Sequence, residues 1–147
     1  MTIKEQVEQF KRECKSYKFY CSRLEDVKLA LEDNRAKLEG VSSPHFKEVV
    51  IENGPTNSDR EQRKLELLER KDKLDKEYNH WSGRITHIHE VFSWMPERDS
   101  CMAEDLLLKG YSKYKIAEKY GYSWTYIHQK IDDIIAKSLK KGKTSNQ

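Results

Sequence analysis

Apolar residues in the first 40 positions recur at intervals that alternate between four and three, and this spacing narrows the possible folds more than any other feature. The members of the stripe are Ile3, Val7, Phe10, Cys14, Tyr17, Cys21, Leu24, Leu31 and Leu38. An average interval of about 3.5 residues places them on one face of a long helix, as in a coiled coil. The pattern predicts a helix from about Thr2 to Glu39, interrupted on that face by Lys28 and Arg35. Because one helix cannot bury such a stripe alone, a partner helix is required.

A second stripe of similar length predicts that partner. Its members are Leu67, Leu74, Tyr78, Trp81, Ile85, Ile88, Phe92 and Met95, with Leu68 beside them. We expect this helix to begin at Ser58 or Asp59, where N-cap residues stand, and to end at Pro96. The two helices could form an antiparallel hairpin, or the stripes could pair between two chains in a homodimer, and the spacing allows both.

Residues at about 40–57 separate the two helices and predict a loop. Gly40 is a plausible helix stop, and the segment holds two adjacent serines and an Asn-Gly-Pro breaker. The run FKEVVI within it could pair as a strand. We therefore divide the chain into a helical hairpin or oligomerisation region at 1–96, a C-terminal domain at 97–141 and a flexible tail at 142–147.

Charge is distributed unevenly along the chain. The net charge of the 147 residues is only +3, but from Lys109 to Lys143 nine lysines stand against Glu118, Asp132 and Asp133. This excess predicts that a polyanion binds the last third of the chain.

Several classes of protein are not expected from this sequence. It has no apolar run of about 18 residues and begins with charged residues, so we predict a cytoplasmic protein without a membrane span. Three cysteines do not suggest a disulfide framework; we expect buried thiols at Cys14 and Cys21, with a cross-chain disulfide as the alternative. No catalytic motif or cofactor-binding motif occurs, so an enzyme is not expected.

A metal site is not expected either. His80 and His87 share a helix face, but His87 and His89 point about 200° apart, so the three imidazoles cannot converge on one ion.

The C-terminal third predicts three short helices around one small core. Gly110 and Gly121 would stop the first two, while Ser112 and Ser123 would cap the second and third. The second and third helices have the spacing of a helix-turn-helix, which needs a small residue where the helices touch, a residue tolerant of positive φ in the turn, and aliphatic residues returning to the core. Four residues occupy these positions: Ala117, Gly121, Ile127 and Ile131. The alternative is a helical corner that is only structural.

The third helix would then enter the major groove of double-stranded DNA with its N-terminal end first. The predicted base-reading residues are Ser123, Trp124, Thr125, Tyr126, His128 and Gln129. Gln129 suits adenine, Thr125 a thymine methyl or a base edge, and His128 guanine. The predicted phosphate contacts are Lys113, Lys115, Lys119 and Lys130. Trp124 and Tyr126 could instead pack into the core.

These residues resemble a known family. The elements LLLKG, YSKYKIAEKYG, YSWTYI and SLKK, between about Met102 and Lys141, resemble the region-four DNA-binding domain of sigma factors. Together with a long charged helical N-terminal part, the chain is similar to phage late-gene transcriptional activators of the ArpU and RinA type. The resemblance implies an activator of structural, packaging or lysis genes in a phage or prophage, with RNA polymerase as a further partner. The chain departs from the family in having no arginine in its recognition helix.

Two other functions remain open from the sequence. A phage small terminase subunit, which packages DNA, also combines a helix-turn-helix with helical oligomerisation segments, and a ring of subunits would favour it. A coiled-coil interaction module acting on RNA polymerase or another regulator is the third possibility, and weak salt dependence of DNA binding would favour it.

Overall fold

A computed structural model describes residues 1–42 and 57–145, which contain six α-helices and no strand. The predicted all-α fold class is confirmed. The helices are α1 (Ile3–Lys15), α2 (Tyr17–Ser42), α3 (Asn57–Ser93), α4 (Glu97–Leu107), α5 (Lys113–Tyr120) and α6 (Trp124–Ser145). Gly40 does not stop α2, which continues to Ser42, and the rest of the predicted loop, including the strand considered at 46–51, lies outside the described residues.

The helices form two compact units that differ from the division expected near residue 96. The core unit combines Met1–Tyr20 with Gly83–Gln147, and the paired-helix unit comprises Cys21–Ser82. The core unit takes in the N-terminal helix because α1 packs against α4 and α6, and because the Phe10 and Phe92 rings meet edge to face at 5.6 Å. Residues expected to belong to a separate hairpin therefore help to bury the C-terminal helices.

The core unit surrounds a set of side chains that solvent does not reach. The largest of them are Ile88, Val91, Met102, Asp105, Ile116, Ile127, Ile131 and Ile135. They come from α3, α4, α5 and α6, so each helix of the C-terminal third has one face fixed by the others. Burial of each large aliphatic side chain contributes about 1.5–3 kcal/mol.

A break between α1 and α2 corrects the prediction of one continuous helix. α1 begins with a capping box in which the side chains of Thr2 and Glu5 each accept the other's backbone N–H, and it ends at Lys15, with Ser16 as its C-cap. The Ser16 N–H is shared between the carbonyl oxygen of Arg12, at 3.2 Å, which is the regular α-helical acceptor, and that of Glu13, at 3.1 Å, which is the acceptor of a tighter 3₁₀ turn.

The break shifts part of the predicted stripe of α2, while Leu24, Leu31 and Leu38 remain partly buried as predicted. The buried residues beyond it are Tyr20, Val27, Asn34 and Val41. Two successive intervals of three residues, from 14 to 17 and from 17 to 20, act as a stammer in the heptad pattern. They move the stripe positions predicted at 21, 28 and 35 to 20, 27 and 34. Lys28 and Arg35, which interrupted the predicted stripe, are therefore exposed.

In the paired-helix unit α2 and α3 run antiparallel. Asn34 Nδ2 donates to the Leu67 carbonyl at 3.0 Å, and the Arg23 guanidinium lies 5.9 Å from the centre of the Trp81 ring. Between these two contacts the residue number increases along α2, from 23 to 34, and decreases along α3, from 81 to 67, so the helices run in opposite directions. Both helices belong to the same chain here.

The cysteines of the described residues are all free thiols. Cys14 is buried, Cys21 is partly buried and Cys101 is exposed. Burial, helped by the neighbouring Glu13 charge, raises the pKa of Cys14 to about 12. This thiol therefore stays protonated and unreactive at neutral pH.

The end of α6 packs into the core unit where a flexible tail was expected. The helix continues to Ser145, and Gly142 is buried so closely under the Trp94 ring that a Cβ at this position would overlap it. Lys143 Nζ also donates to Gln6 Oε1 at 3.0 Å. Residues 146–147 lie outside the described part. Among the described helices, none has an apolar stretch sufficient to cross a membrane.

Candidate nucleic-acid interface

The corner between α5 and α6 is built by the two serines and the glycine that the sequence singled out. Ser112 Oγ accepts the Lys115 N–H at 3.2 Å, and Ser123 Oγ accepts the Tyr126 N–H at 3.3 Å, so each helix begins with a side-chain cap. Gly121 ends α5 with φ of 74°, a left-handed conformation in which an L side chain is strained. These caps and this turn were predicted and are confirmed.

The inner side of the corner is fully buried. Ile116 on α5 and Ile127 and Ile131 on α6 are exposed by 1% or less, while Ala117 is partly buried. Ile127 and Ile131 lie one helical turn apart in the first half of α6. The position of that half of the helix is therefore fixed by packing.

The outer side of the same half of α6 carries most of the predicted base-reading residues. Thr125, His128 and Gln129 are exposed. Thr125 and Gln129 thus lie opposite the buried isoleucines, and His128 lies on the flank beside Trp124, all on a rigid support. Such support from packed residues is what a recognition site requires.

The two aromatic residues of this region, whose role the sequence left open, have different surroundings. Trp124 is partly buried and lines a groove with Leu106 and Leu107 of α4. Tyr126 is 46% exposed, and its ring lies 4.7 Å from that of Tyr122. Tyr126 is therefore accessible to a ligand, whereas Trp124 is largely packed against the protein.

Two of the four predicted phosphate-binding lysines lie at the start of α5. Lys113 and Lys115 are exposed, and both ammonium groups stand near tyrosine rings. Lys115 Nζ lies 3.9 Å from the centre of the Tyr111 ring, and Lys113 Nζ lies 5.4 Å from that of Tyr114. The rings hold the ammonium groups at the surface through cation–π attraction while leaving their donors available.

Lys119 is held differently, by a buried carboxylate that the sequence analysis did not identify. Asp105 on α4 is 2% exposed, and its Oδ2 accepts from Lys119 Nζ at 2.6 Å and from Tyr120 Oη at 2.7 Å. Lys109 Nζ approaches Oδ1 at 3.1 Å. This Asp105 network ties α4 to α5, so a phosphate would compete with the carboxylate for Lys119.

The protonation states of the network follow from its geometry. Burial raises the pKa of Asp105, but hydrogen bonds from Lys119, Tyr120 and Lys109 outweigh it and hold the pKa at about 2. The bond to Asp105 in turn raises the pKa of Lys119. Asp105, Lys109 and Lys119 are therefore charged at neutral pH, and Tyr120, whose pKa burial and the Asp105 hydrogen bond raise, stays protonated as a donor.

The sequence contained a signal for this carboxylate. Asp105 lies three residues after Met102, and this spacing puts it on the same face of α4 as a core residue. An acidic residue on an apolar helix face requires a buried partner. Lys119 and Tyr120 supply it from the next helix.

Lys130, the fourth predicted phosphate contact, belongs to a cluster on the other flank of α6. Its Nζ lies 3.8 Å from Asp99 Oδ1, and 5.3 and 5.6 Å from the ring centres of Tyr122 and Tyr126. The Arg98 guanidinium lies 5.7 Å from the Tyr122 ring. The ion pair with Asp99 offsets part of the positive charge of Lys130.

Asp132, one of the three acidic residues among the nine lysines from Lys109 to Lys143, forms an ion pair with Lys11 of α1. No group of three or more His, Cys, Asp or Glu side chains in residues 1–42 and 57–145 is arranged to hold a metal ion.

No protein-family model matches the chain, and neither a curated protein nor a solved structure matches it.

Proposed function

We propose that this protein is a sequence-specific double-stranded DNA-binding transcriptional regulator, with α5 and α6 as its helix-turn-helix and α6 as the recognition helix. The observation that carries the proposal is the two-sided character of the first half of α6. Ile127 and Ile131 are buried on one side, Thr125 and Gln129 are exposed on the opposite side, and His128 is exposed on the flank. A rigid helix with exposed polar side chains at its N-terminal end is suited to reading base edges in the major groove.

The roles of the side chains follow from their chemistry. Gln129 can bond adenine through two hydrogen bonds, His128 can donate to guanine, and Thr125 can contact a thymine methyl. Lys113 and Lys115 would bind phosphates and fix the position of the helix without reading sequence. Lys119 and Lys130 would contribute less, because Asp105 and Asp99 already bind them.

The narrower proposal, activation of late genes in a phage or prophage, is supported by the resemblance of the segments LLLKG, YSKYKIAEKYG, YSWTYI and SLKK to sigma region four. A regulator of this kind would act in the cytoplasm and would contact RNA polymerase. We also propose a homodimer formed through the long helices. The support for it is the exposure of Leu29, Leu65 and Leu68 in the paired-helix unit, by 56%, 50% and 42%.

The test is selection of preferred duplexes from a random library, followed by titration of the selected duplex and a scrambled one. Replacing His128 and Gln129 by alanine should abolish the preference, since the bidentate contact of Gln129 alone is worth about 1–3 kcal/mol of discrimination and the hydrogen bond from His128 adds to it. A variant with Lys113 and Lys115 replaced by alanine is the matched comparison and should weaken both duplexes equally. Unchanged preference in the His128 and Gln129 variant would rule out α6 as the reading helix.

A further inference from the structure

A groove of about 570 Å³ in the core unit separates α1 from the first half of α6. On one side it is lined by residues that share one face of α1, namely Glu8, Lys11, Arg12 and Lys15. On the other side are Trp124, His128 and Ile131 of α6, above Leu106 and Leu107 of α4. The N-terminal helix, assigned by its sequence pattern to a hairpin, therefore lies beside His128, one of the proposed reading residues.

The basic side chains on this flank of α1 differ in their surroundings: one is held in ion pairs, and two are exposed. Lys11 is 16% exposed and is bound by Glu8, at 3.8 Å, and by Asp132 of α6. Its ion pair with Asp132 fastens α1 to α6. Arg12 and Lys15 are exposed and line the same groove, so they supply its outward-facing positive charge.

The dimensions of DNA determine what such a helix would meet. An α-helix with its side chains is about 10–12 Å across, and the major groove is about 12 Å wide. A recognition helix therefore fills the groove, and a second helix packed beside it faces the wall of phosphates. The α1 residues that line the groove stand opposite Trp124 and His128, in the half of α6 that would enter the DNA.

We propose that α1 is part of the DNA interface and that Arg12 and Lys15 bind phosphates of the strand running alongside α6. This inference rests on the proposed function and adds to it a second, N-terminal set of backbone contacts. Arg12 can bind a phosphate through two parallel hydrogen bonds, and Lys15 can bind the next as a point charge. The Lys11–Asp132 ion pair positions both side chains and does not itself contact DNA.

The experiment measures the affinity of the full chain for a fluorescein-labelled mixed-sequence duplex of about 30 base pairs, between about 50 and 200 mM salt. The variant carries Arg12→Gln and Lys15→Gln, which remove two charges but keep long polar side chains. Loss of two phosphate contacts should lower the slope of log K against log salt by about 1.8 and weaken binding by about tenfold to a hundredfold. The preference for a selected duplex over a scrambled one should stay unchanged.

Two control variants make the result specific. Arg63→Gln with Lys64→Gln removes the same charge from exposed positions of the paired-helix unit and should leave the salt slope unchanged. Arg12→Lys with Lys15→Arg keeps both charges and should retain most of the slope. Circular dichroism should give the same helix content for all variants, since every substituted side chain is exposed.

The outcomes separate this inference from the function on which it rests. If the Arg12 and Lys15 variant binds as the wild type does, binds more tightly, or loses no more affinity than the Arg63 and Lys64 control, α1 is not part of the interface. In that case, loss of preference in the His128 and Gln129 variant would still support α6 as the reading helix. Failure of the wild-type chain to bind any duplex would overturn both proposals.

Discussion

α2 and α3 each contribute residues to both the core unit and the paired-helix unit, yet the two units bury their side chains to different extents. In the core unit, residues from four helices are fully enclosed, among them Ile127 and Ile131. Among the described residues of the paired-helix unit, 21–42 and 57–82, only Val27, Asn34 and Val41 are buried. A side chain between two helices keeps one side open to solvent, whereas one among several helices is surrounded. The difference suggests that the core unit can hold a site rigidly and that the paired-helix unit is suited to association.

The largest expected effect comes from truncating a residue that only the core unit could bury. Ile127→Ala should lower the free energy of unfolding by about 3 kcal/mol, because it removes buried methyl groups and leaves a cavity. Leu67→Ala, at a partly buried position of the paired-helix unit, should cost about 1 kcal/mol. Urea unfolding followed by circular dichroism measures both. Equal losses would contradict the contrast between the units.

The Asp105 network should contribute the next largest effect. Asp105→Asn removes the charge that Lys109, Lys119 and Tyr120 share, and it should cost about 2 kcal/mol of stability at neutral pH. Glu118→Gln, which removes one exposed carboxylate from α5, should change stability by less than about 0.5 kcal/mol. Thermal unfolding of the three proteins in one buffer provides the comparison.

The same network predicts a pH dependence. The pKa of Asp105 is about 2 in the folded protein, below its ordinary 3.8. A lowered pKa stabilises the fold fully above the ordinary value, and this stabilisation is lost as pH falls through the folded value. The stability difference between wild type and Asp105→Asn should therefore narrow as pH falls from 3.8 toward 2. A constant difference would show that Asp105 stabilises the fold through shape alone.

The smallest effect concerns the paired-helix unit and its proposed association. Leu65→Ser with Leu68→Ser should weaken a homodimer by about tenfold or more, or about 1.4 kcal/mol, because it removes exposed apolar surface that a second copy would cover. Arg63→Ser with Glu66→Ser has the same spacing, removes one charge of each sign and should have little effect. Sedimentation measures the assembly directly. A monomeric wild type would contradict the dimer, and a ring of many subunits would favour a packaging protein.

The spacing of apolar residues predicted the buried positions of α1 fully and those of α2 only in part. The alternation of four and three correctly predicted the buried positions Val7, Phe10 and Cys14. Beyond Ser16 it correctly predicted that Leu24, Leu31 and Leu38 lie on the partly buried face, but the positions between them were displaced by one residue, so that Val27 and Asn34 are buried. Lys28 and Arg35 on the predicted face were the sign of that shift, and both are exposed.

The candidate site was predictable where local chemistry determines it. The caps at Ser112 and Ser123 and the turn at Gly121 depend on residues a few positions apart, so the sequence was sufficient to find them. Asp105 with Lys119, and Lys11 with Asp132, join helices that are distant in the chain. Such pairs are set by how the helices pack, which no local pattern contains.

The sequence by itself determined that this protein is helical, where α5 and α6 begin, and that its positive charge is concentrated toward the C-terminal end. These follow from periodicity, capping and composition, which act over one or two helical turns. Only the tertiary structure decided that α1 belongs with the C-terminal helices, that Lys119 is bound to a buried carboxylate, and that Gly142 packs under Trp94. The physical reason is that burial depends on which helix faces meet, and many pairings of amphipathic helices satisfy the same local pattern.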